Sequence, residues 1–293
     1  MGALSRSQGV YYNAPPRPLS VDVIIQLIMA HPVAVTQHHD PFDLSLAEDY
    51  AAWRTAKLAR YPNTISDLVV PIGNPARLTV SERNAIIAMT HHANMAVYAC
   101  ADPAQVGKTD IAELGRQLGL SRLDQNLCAD NDSISSITQM NAGRASHYIP
   151  YTNSPLNWHT DGYYNSGKYL IRAFLLHCVR PAADGGENQL LDPEIAYILL
   201  RDTDPDALAA LMHPQAMTIP ANEEQGQKIR GARSGPVFAV DPQTGCLHMR
   251  YTARTRSIIW RNDADTLRGQ SLLRQILNDR QDYRFDLRLE AGQ

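Results

Sequence analysis

Apolar residues recur at helical spacing through three stretches of the first 130 residues, SVDVIIQLIMAH, LAEDYAAWRTAKLARY and SERNAIIAMTHHAN. Each predicts an amphipathic helix with one face turned to a core. Thr79 and Glu82 have the spacing of a capping box at the start of the third. A further helix is expected from Asp110 to Leu118, with Ile111, Leu114 and Leu118 on one face and Gly119 placed to stop it. The period changes at Ser133. ISSITQM, HYIPYT, YLIRAFLLHCV, NQLLD, PVFAV, CLHMRYTA and YRFDLRLE are short runs of β-formers bounded by Gly, Pro, Asn or Asp, so a curved sheet or barrel is expected. Two helical insertions interrupt it, DPEIAYILLRD with DPDALAALMHP, and NDADTLRGQSLLRQILND. No repeat, low-complexity tract or flexible linker divides the sequence. A single domain over residues 1–293 is expected, mostly helical over 1–132, with a β core and helical insertions over 133–293.

The composition, 44% hydrophobic and 19% charged, is that of a globular chain long enough to bury a sizeable core. With 27 basic against 30 acidic residues there is no overall positive field, so neither nucleic acid nor an anionic membrane is an expected partner. Cys100, Cys128, Cys178 and Cys246 lie far apart without a C-x-x-C pair, which predicts free thiols and a cytoplasmic setting. The opening MGALSRSQGVYYNAPPRPLS lacks a basic start followed by an apolar run, and no segment reaches the roughly 18 apolar residues that span a bilayer. A small molecule is the expected partner, and assembly into a homo-oligomer is left open.

The chemistry concentrates in NWHTDGYYN, where His159 stands two residues before Asp161. On a β-strand the period of two turns both side chains to one face, where an imidazole nitrogen and a carboxylate oxygen reach a common point. That point can hold a metal ion. Equally, an Asp can accept a proton from a His and fix its tautomer. Thr160 would face the opposite side and hydrogen-bond within the sheet, while Asn157 and Trp158 would buttress the pair.

The segments YIPYTNSPLNWHTDGYYN, LLHCVRPAADGGENQLLD and EIAYILL, in that order, are more specific. Together they resemble the Fe(II)/2-oxoglutarate-dependent dioxygenases of the taurine dioxygenase and γ-butyrobetaine hydroxylase type, from Ile134 to the C-terminus and most closely from Tyr148 to Leu200. The resemblance implies a double-stranded β-helix, the jelly-roll of clavaminate synthase-like proteins, and Fe(II), 2-oxoglutarate and O2 as cofactor and cosubstrates. It makes His159 and Asp161 two iron ligands of a set of two imidazoles and one carboxylate, which leaves three positions open on the metal. The implied activity is hydroxylation of a small polar substrate of amino acid, betaine or sulfonate type.

The same resemblance draws in residues around the pair. Gly185 and Gly186 form a turn leading into a strand that lines the oxoglutarate pocket, or simply a hairpin turn. Asn188 stands where relatives often carry a threonine that binds oxoglutarate, and its amide can still donate. Tyr151 has the offset of a tyrosine that contacts a trimethylammonium group, although core or rim packing, as for Tyr148, is the alternative. Tyr163 and Tyr164 follow Asp161, and by alternation at least one should reach the substrate. MRYTARTR sets Arg250, Arg254 and Arg256 at even spacing, hence on one strand face, as an anchor for a carboxylate or sulfonate or as a solvated surface. Arg172, inside an apolar run, must pair, reach a polar cavity or snorkel to the surface.

The family's third ligand is a late histidine followed by an arginine that holds oxoglutarate. By register with γ-butyrobetaine hydroxylases that histidine falls beyond Gln293, so the last two barrel strands are expected to be missing and sheet edges to be left open. In the alternative, His248 completes the site with an arginine such as Arg261. Two other classes remain as rivals: a zinc hydrolase, for which no H-E-x-x-H is present, and a catalytically incomplete barrel acting as a small-molecule binding module.

Overall fold

The computed structural model describes residues 22–27, 40–124, 132–143, 148–224, 227–254 and 258–293. Three helices open this set, α1 (Ala47–Ala59), α2 (Val80–Ala93) and α3 (Lys108–Gln117). The capping box at α2 forms as its spacing requires. Thr79 Oγ1 accepts from the Glu82 amide at 3.2 Å, and the Glu82 carboxylate accepts the Thr79 amide at 2.6 Å. In α3 the expected face is the buried one, with Ile111 and Leu114 fully enclosed, and the chain leaves the helix through Gly119 at φ +84°.

The first expected helix does not form. SVDVIIQLIMAH instead contributes strand β1 (Asp22–Leu27), a stretch whose Val and Ile content favours the strand by propensity. A second β element also lies in this nominally helical part. Strands β2 (Val69–Ile72) and β3 (Val97–Cys100) run parallel on either side of α2, the connection a parallel pair requires.

From β4 (Ser135–Ile137) onward, strands dominate in number. They are β5 (Ala173–Cys178), β6 (Glu187–Leu190), β7 (Met217–Ile219), β8 (Asn222–Glu224), β9 (Gln227–Arg230), β10 (Arg233–Gly235), β11 (Phe238–Val240), β12 (Leu247–Met249), β13 (Ile259–Trp260) and β14 (Phe285–Arg288). HYIPYT is not among them, because Pro150 has no amide to donate to a ladder. Ile149–Tyr151 turns as a short 3₁₀ helix. Among the described residues the strands form six sheets of two or three strands, with orders β4-β1-β5, β10-β7-β13, β11-β12, β14-β6, β2-β3 and β8-β9, and they do not close into a barrel. β1 lies antiparallel between β4 and β5, pairing Asp22 with Cys178 at one end and Leu27 with Ala173 at the other.

The helical insertions are α4 (Pro193–Thr203), α5 (Pro205–Leu211) and α6 (Ala264–Asp279). Tyr197, Leu200, Leu208, Leu211 and Leu273 are fully buried, and they pack with Met217, Phe238, Met249 and Tyr251 in the largest apolar cluster. The N-terminal part is locked onto α4 by charge as well as by packing. Lys57 of α1 pairs with the enclosed Asp192 at 2.7 Å and with Glu194 at 2.5 Å, and Arg201 of α4 donates to the carbonyls of Pro41 and Asp43. At the other end of the sequence, Gly292 accepts from the Cys100 amide at 3.0 Å and donates to the Cys178 carbonyl at 2.8 Å. These residues are thus hydrogen-bonded to β3 and β5. Cys100, Cys178 and Cys246 are free thiols, and Cys128 lies outside the described residues. No helix among those residues is long and apolar enough to cross a membrane.

Candidate metal centre

The segment carrying His159 is held by one short antiparallel contact and not by a full strand. His159 bridges Thr252, the Thr160 amide donates to the Tyr251 carbonyl at 2.9 Å, and the Ala253 amide donates to the Trp158 carbonyl at 2.8 Å. Thr160 fills the wall role expected of it, its hydroxyl accepting the Tyr251 amide at 3.0 Å. Beyond Thr160 the chain turns at once. Gly162 has φ +63°, and the Asn165 amide closes on its carbonyl at 2.7 Å. A Cβ on Gly162 would stand 2.3 Å from Cγ1 of Ile171, so a glycine is required by the space as well as by the backbone. Strand alternation is therefore not what brings the pair together. A bridge fixes His159, and a glycine turn aims Asp161 back at it.

His159 Nε2 lies 3.6 Å from Asp161 Oδ1, with the two side chains 31% and 24% exposed. On the other side of the ring, Nδ1 lies 2.8 Å from the Asn157 carbonyl oxygen. A carbonyl only accepts, so Nδ1 carries a hydrogen, and in the neutral ring the Nε2 lone pair faces the carboxylate. Two electron-rich atoms at that spacing call for something positive between them. A proton is one answer, and the Asp161 carboxylate, helped by the Asn157 carbonyl, holds His159 above the usual imidazole range against burial and the charge of Arg254. A metal ion is the other. Two ligands each at roughly 2.0–2.2 Å from one ion stand roughly 3.0–3.8 Å apart at angles between octahedral and trigonal.

The pair thus fits two donors of an iron site, and the described residues contain no group of three or more His, Cys, Asp or Glu side chains that could hold a metal. His248 does not complete the set in this structure. It sits in β12 opposite Ala239, four residues before Thr252, or roughly 13 Å along an extended chain at about 3.3 Å per residue. Burial, Arg172 and Arg250 push its pKa down to about 4. Arg261, its suggested companion, pairs with Asp263 at the start of α6.

The other expected residues separate into those near the pair and those apart from it. Arg254 follows the bridge, its amide 3.4 Å from Thr252 Oγ1, and its charge acts on His159. Tyr163 and Tyr164 are half-buried beyond the Gly162 turn, edge to face with ring centroids 5.2 Å apart. Arg250 is buried, not on an open strand face, and Arg256 lies outside the described residues. Tyr151 is 7% exposed, which matches core packing. Arg172 is paired with Asp241. Asn188 lies apart: its amide donates to the Gly186 carbonyl at 3.1 Å, and with Gly186, Glu187 and Arg288 it lines a polar cavity of about 130 Å³ that includes neither His159 nor Asp161. Gly185 and Gly186 both have positive φ, as a tight turn into β6 demands.

Gly162 and Arg230 are the residues that sequence reasoning missed. The Asp-Gly dipeptide after His159 was a turn signal in plain view. Arg230 had no such signal, since it belongs to a polar hairpin whose position over Tyr164 depends on the fold.

Comparison with known proteins places the chain in a family. The family described as taurine catabolism dioxygenase TauD, TfdA matches residues 102–293. A uridine-5'-phosphate dioxygenase of Amycolatopsis sp is 34% identical over 145 residues, covering 46% of this chain and 48% of that protein. A uridine-5'-phosphate dioxygenase of Streptomyces sp is 30% identical over 173 residues, covering 56% and 58%. The chain spans about half the length of the curated relatives it matches.

Proposed function

The chain belongs to the taurine catabolism dioxygenase TauD, TfdA family, and from that premise we propose that it serves an Fe(II)- and 2-oxoglutarate-dependent oxygenase acting on a small polar anion. Iron with a 2-oxoacid and O2 supplies the oxidising power needed to place oxygen on a C–H bond. The chain's own residues do the rest. His159 and Asp161 are two of the iron donors, the Asn157 carbonyl keeps Nε2 available as a ligand, and the Gly162 turn orients the carboxylate. Trp158, Tyr163 and Tyr164, next to the pair in sequence, pack against the main apolar cluster and anchor the segment that carries it. The small sheets are the local part of the family's double-stranded β-helix, and the whole sequence acts as one domain in the cytoplasm. Amino acids, betaines and sulfonates fall in the proposed substrate class, and the two relatives named for uridine-5'-phosphate lead us to favour a phosphorylated small molecule.

The observation that carries this reading is the 3.6 Å approach of His159 Nε2 to Asp161 Oδ1 with Nδ1 already engaged. Anaerobic protein given Fe(II) and then 2-oxoglutarate should develop the weak visible charge-transfer band of the chelate, and Asp161→Ala should lose it. A protein that takes up no iron under these conditions sinks the proposal. The two-donor count among the described residues favours one second reading, a metal-free binding module. It predicts that Asp161→Ala leaves metal content unchanged.

A further inference from the structure

Arg250 is an arginine in an unusual position. It is 5% exposed, its Nη2 donates to the Met217 carbonyl at 2.5 Å, and its Nε is buried with no hydrogen-bond partner. Room for the guanidinium exists because residue 235 is glycine, where a Cβ would come within 3.2 Å of Nη1. Nearby, Arg230 at the end of β9 donates to the carbonyls of Gly231 and Pro220 at 3.0 and 2.9 Å and lies over the Tyr164 ring, 6.0 Å from its centroid. Neither guanidinium has a carboxylate within ion-pair reach among the described residues. Arg172, Arg54 and Arg268, by contrast, each hold an aspartate. Two acids, Asp161 and Asp124, act on Tyr164.

Positive groups brought together without a counter-charge repel and are costly to desolvate. Both guanidiniums register that cost. Burial, then Arg230, lowers Arg250 to about 10, and burial, then Arg233, lowers Arg230. Protein carbonyls accept some of the donors but cannot neutralise the charge. Tyr164, three residues past Asp161, connects this cluster to the candidate metal pair.

We propose that Arg230 and Arg250, with the Tyr164 ring as one wall, form a subsite for the phosphate monoester of the substrate, beside His159 and Asp161. A phosphate dianion suits the cluster better than a carboxylate, because it meets two guanidiniums with two charges and three acceptor oxygens. The subsite rests on the oxygenase reading for the identity of the molecule carrying the phosphate. It does not rest on it for the anion.

The test is equilibrium binding of uridine-5'-phosphate, uridine, inorganic phosphate and 2-oxoglutarate to the full chain, wild type and variants. Arg230→Gln, at a half-buried hairpin end, and Gly235→Ala, which crowds the Arg250 guanidinium, are the informative changes, with a thermal melt to verify folding. Uridine-5'-phosphate affinity should fall tenfold or more in each while uridine affinity stays within twofold. Unchanged uridine-5'-phosphate affinity in both folded variants overturns the subsite. So does a loss confined to 2-oxoglutarate, which assigns the arginines to the cosubstrate, and so does a wild type that binds neither phosphate species. Arginine-dependent phosphate binding without iron-dependent succinate formation leaves the subsite standing and removes the oxygenase reading. Succinate formation with arginine-independent binding does the reverse.

Discussion

The α-carbon of Gly162 faces Ile171 so closely that a methyl group on it would lie 2.3 Å from Ile171 Cγ1. The residue also has φ +63°, which L side chains adopt at a cost. Gly162→Ala should therefore combine backbone strain of about 1–2 kcal/mol with overpacking of about 1–3 kcal/mol. Relief of either requires moving the turn that aims Asp161 at His159, so Fe(II) affinity should fall along with stability. Denaturant unfolding and an iron titration read the two effects. A loss of stability below about 0.5 kcal/mol, the range of a neutral surface change, contradicts the packing described.

Thr160 ties the pair to the rest of the sheet through its hydroxyl, which accepts the Tyr251 amide at 3.0 Å. Thr160→Val keeps the shape and leaves that amide without its acceptor, a loss of about 1–3 kcal/mol for a buried donor. Tyr251 is 3% exposed, so water offers little compensation. Thermal unfolding should show the loss, and iron affinity should weaken less than in Gly162→Ala, because the Gly162 turn itself is untouched. A variant as stable as wild type would mean that the amide finds another partner.

Legibility from sequence follows the range of the forces involved. The capping box of α2 and the buried face of α3 are local patterns, and they were readable because Thr79 with Glu82, and Ile111 with Leu114, interact within one or two turns. β1 was misread because VDVIIQLIM satisfies helical spacing while being rich in β-branched residues. The slot between β4 and β5 decides the matter, and Ser135 and Cys178 lie more than 100 residues away. At the site, His159 and Asp161 could be named from H-x-D and its flanks, but the turn that unites them was assigned to a strand. Arg250 was singled out for even spacing along a strand, whereas its isolation comes from Gly235, Met217 and Arg230, all distant in sequence. The Lys57–Asp192 pair, joining α1 to the start of α4, had no sequence signal at all.

That pair gives a prediction about pH. Asp192 is fully enclosed, and burial raises its pKa to about 6 even though Lys57 and the Asn94 amide favour the charged form. A folded pKa above the unfolded value of about 3.9 means that the native state holds a proton where the unfolded chain has lost it. By linkage, this group's contribution to stability declines as pH rises from about 4 to about 6. Asp192→Asn cannot titrate, so its stability relative to wild type should rise across that window and level off above it. Urea midpoints for the two proteins from pH 3.5 to pH 7.5 would show the difference, roughly up to a few kcal/mol. A parallel pair of curves would place the Asp192 pKa near its ordinary value.

His248 decides between the two versions of the metal site. In β12 it is paired opposite Ala239 and held neutral by burial and by Arg172 and Arg250, which lower it to about 4. Its folded pKa lies below the unfolded value of about 6.5, so its contribution to stability is complete above pH 6.5 and is lost as pH falls toward 4. His248→Leu should therefore flatten acid unfolding between those values and leave Fe(II) affinity within twofold of wild type. Asp161→Asn, measured beside it, should reduce iron affinity tenfold or more, since it removes the negative donor while preserving the shape of the side chain. If His248→Leu instead abolishes iron uptake as Asp161→Asn does, His248 is the third ligand, and β12 must come close to His159 in the metal-bound protein.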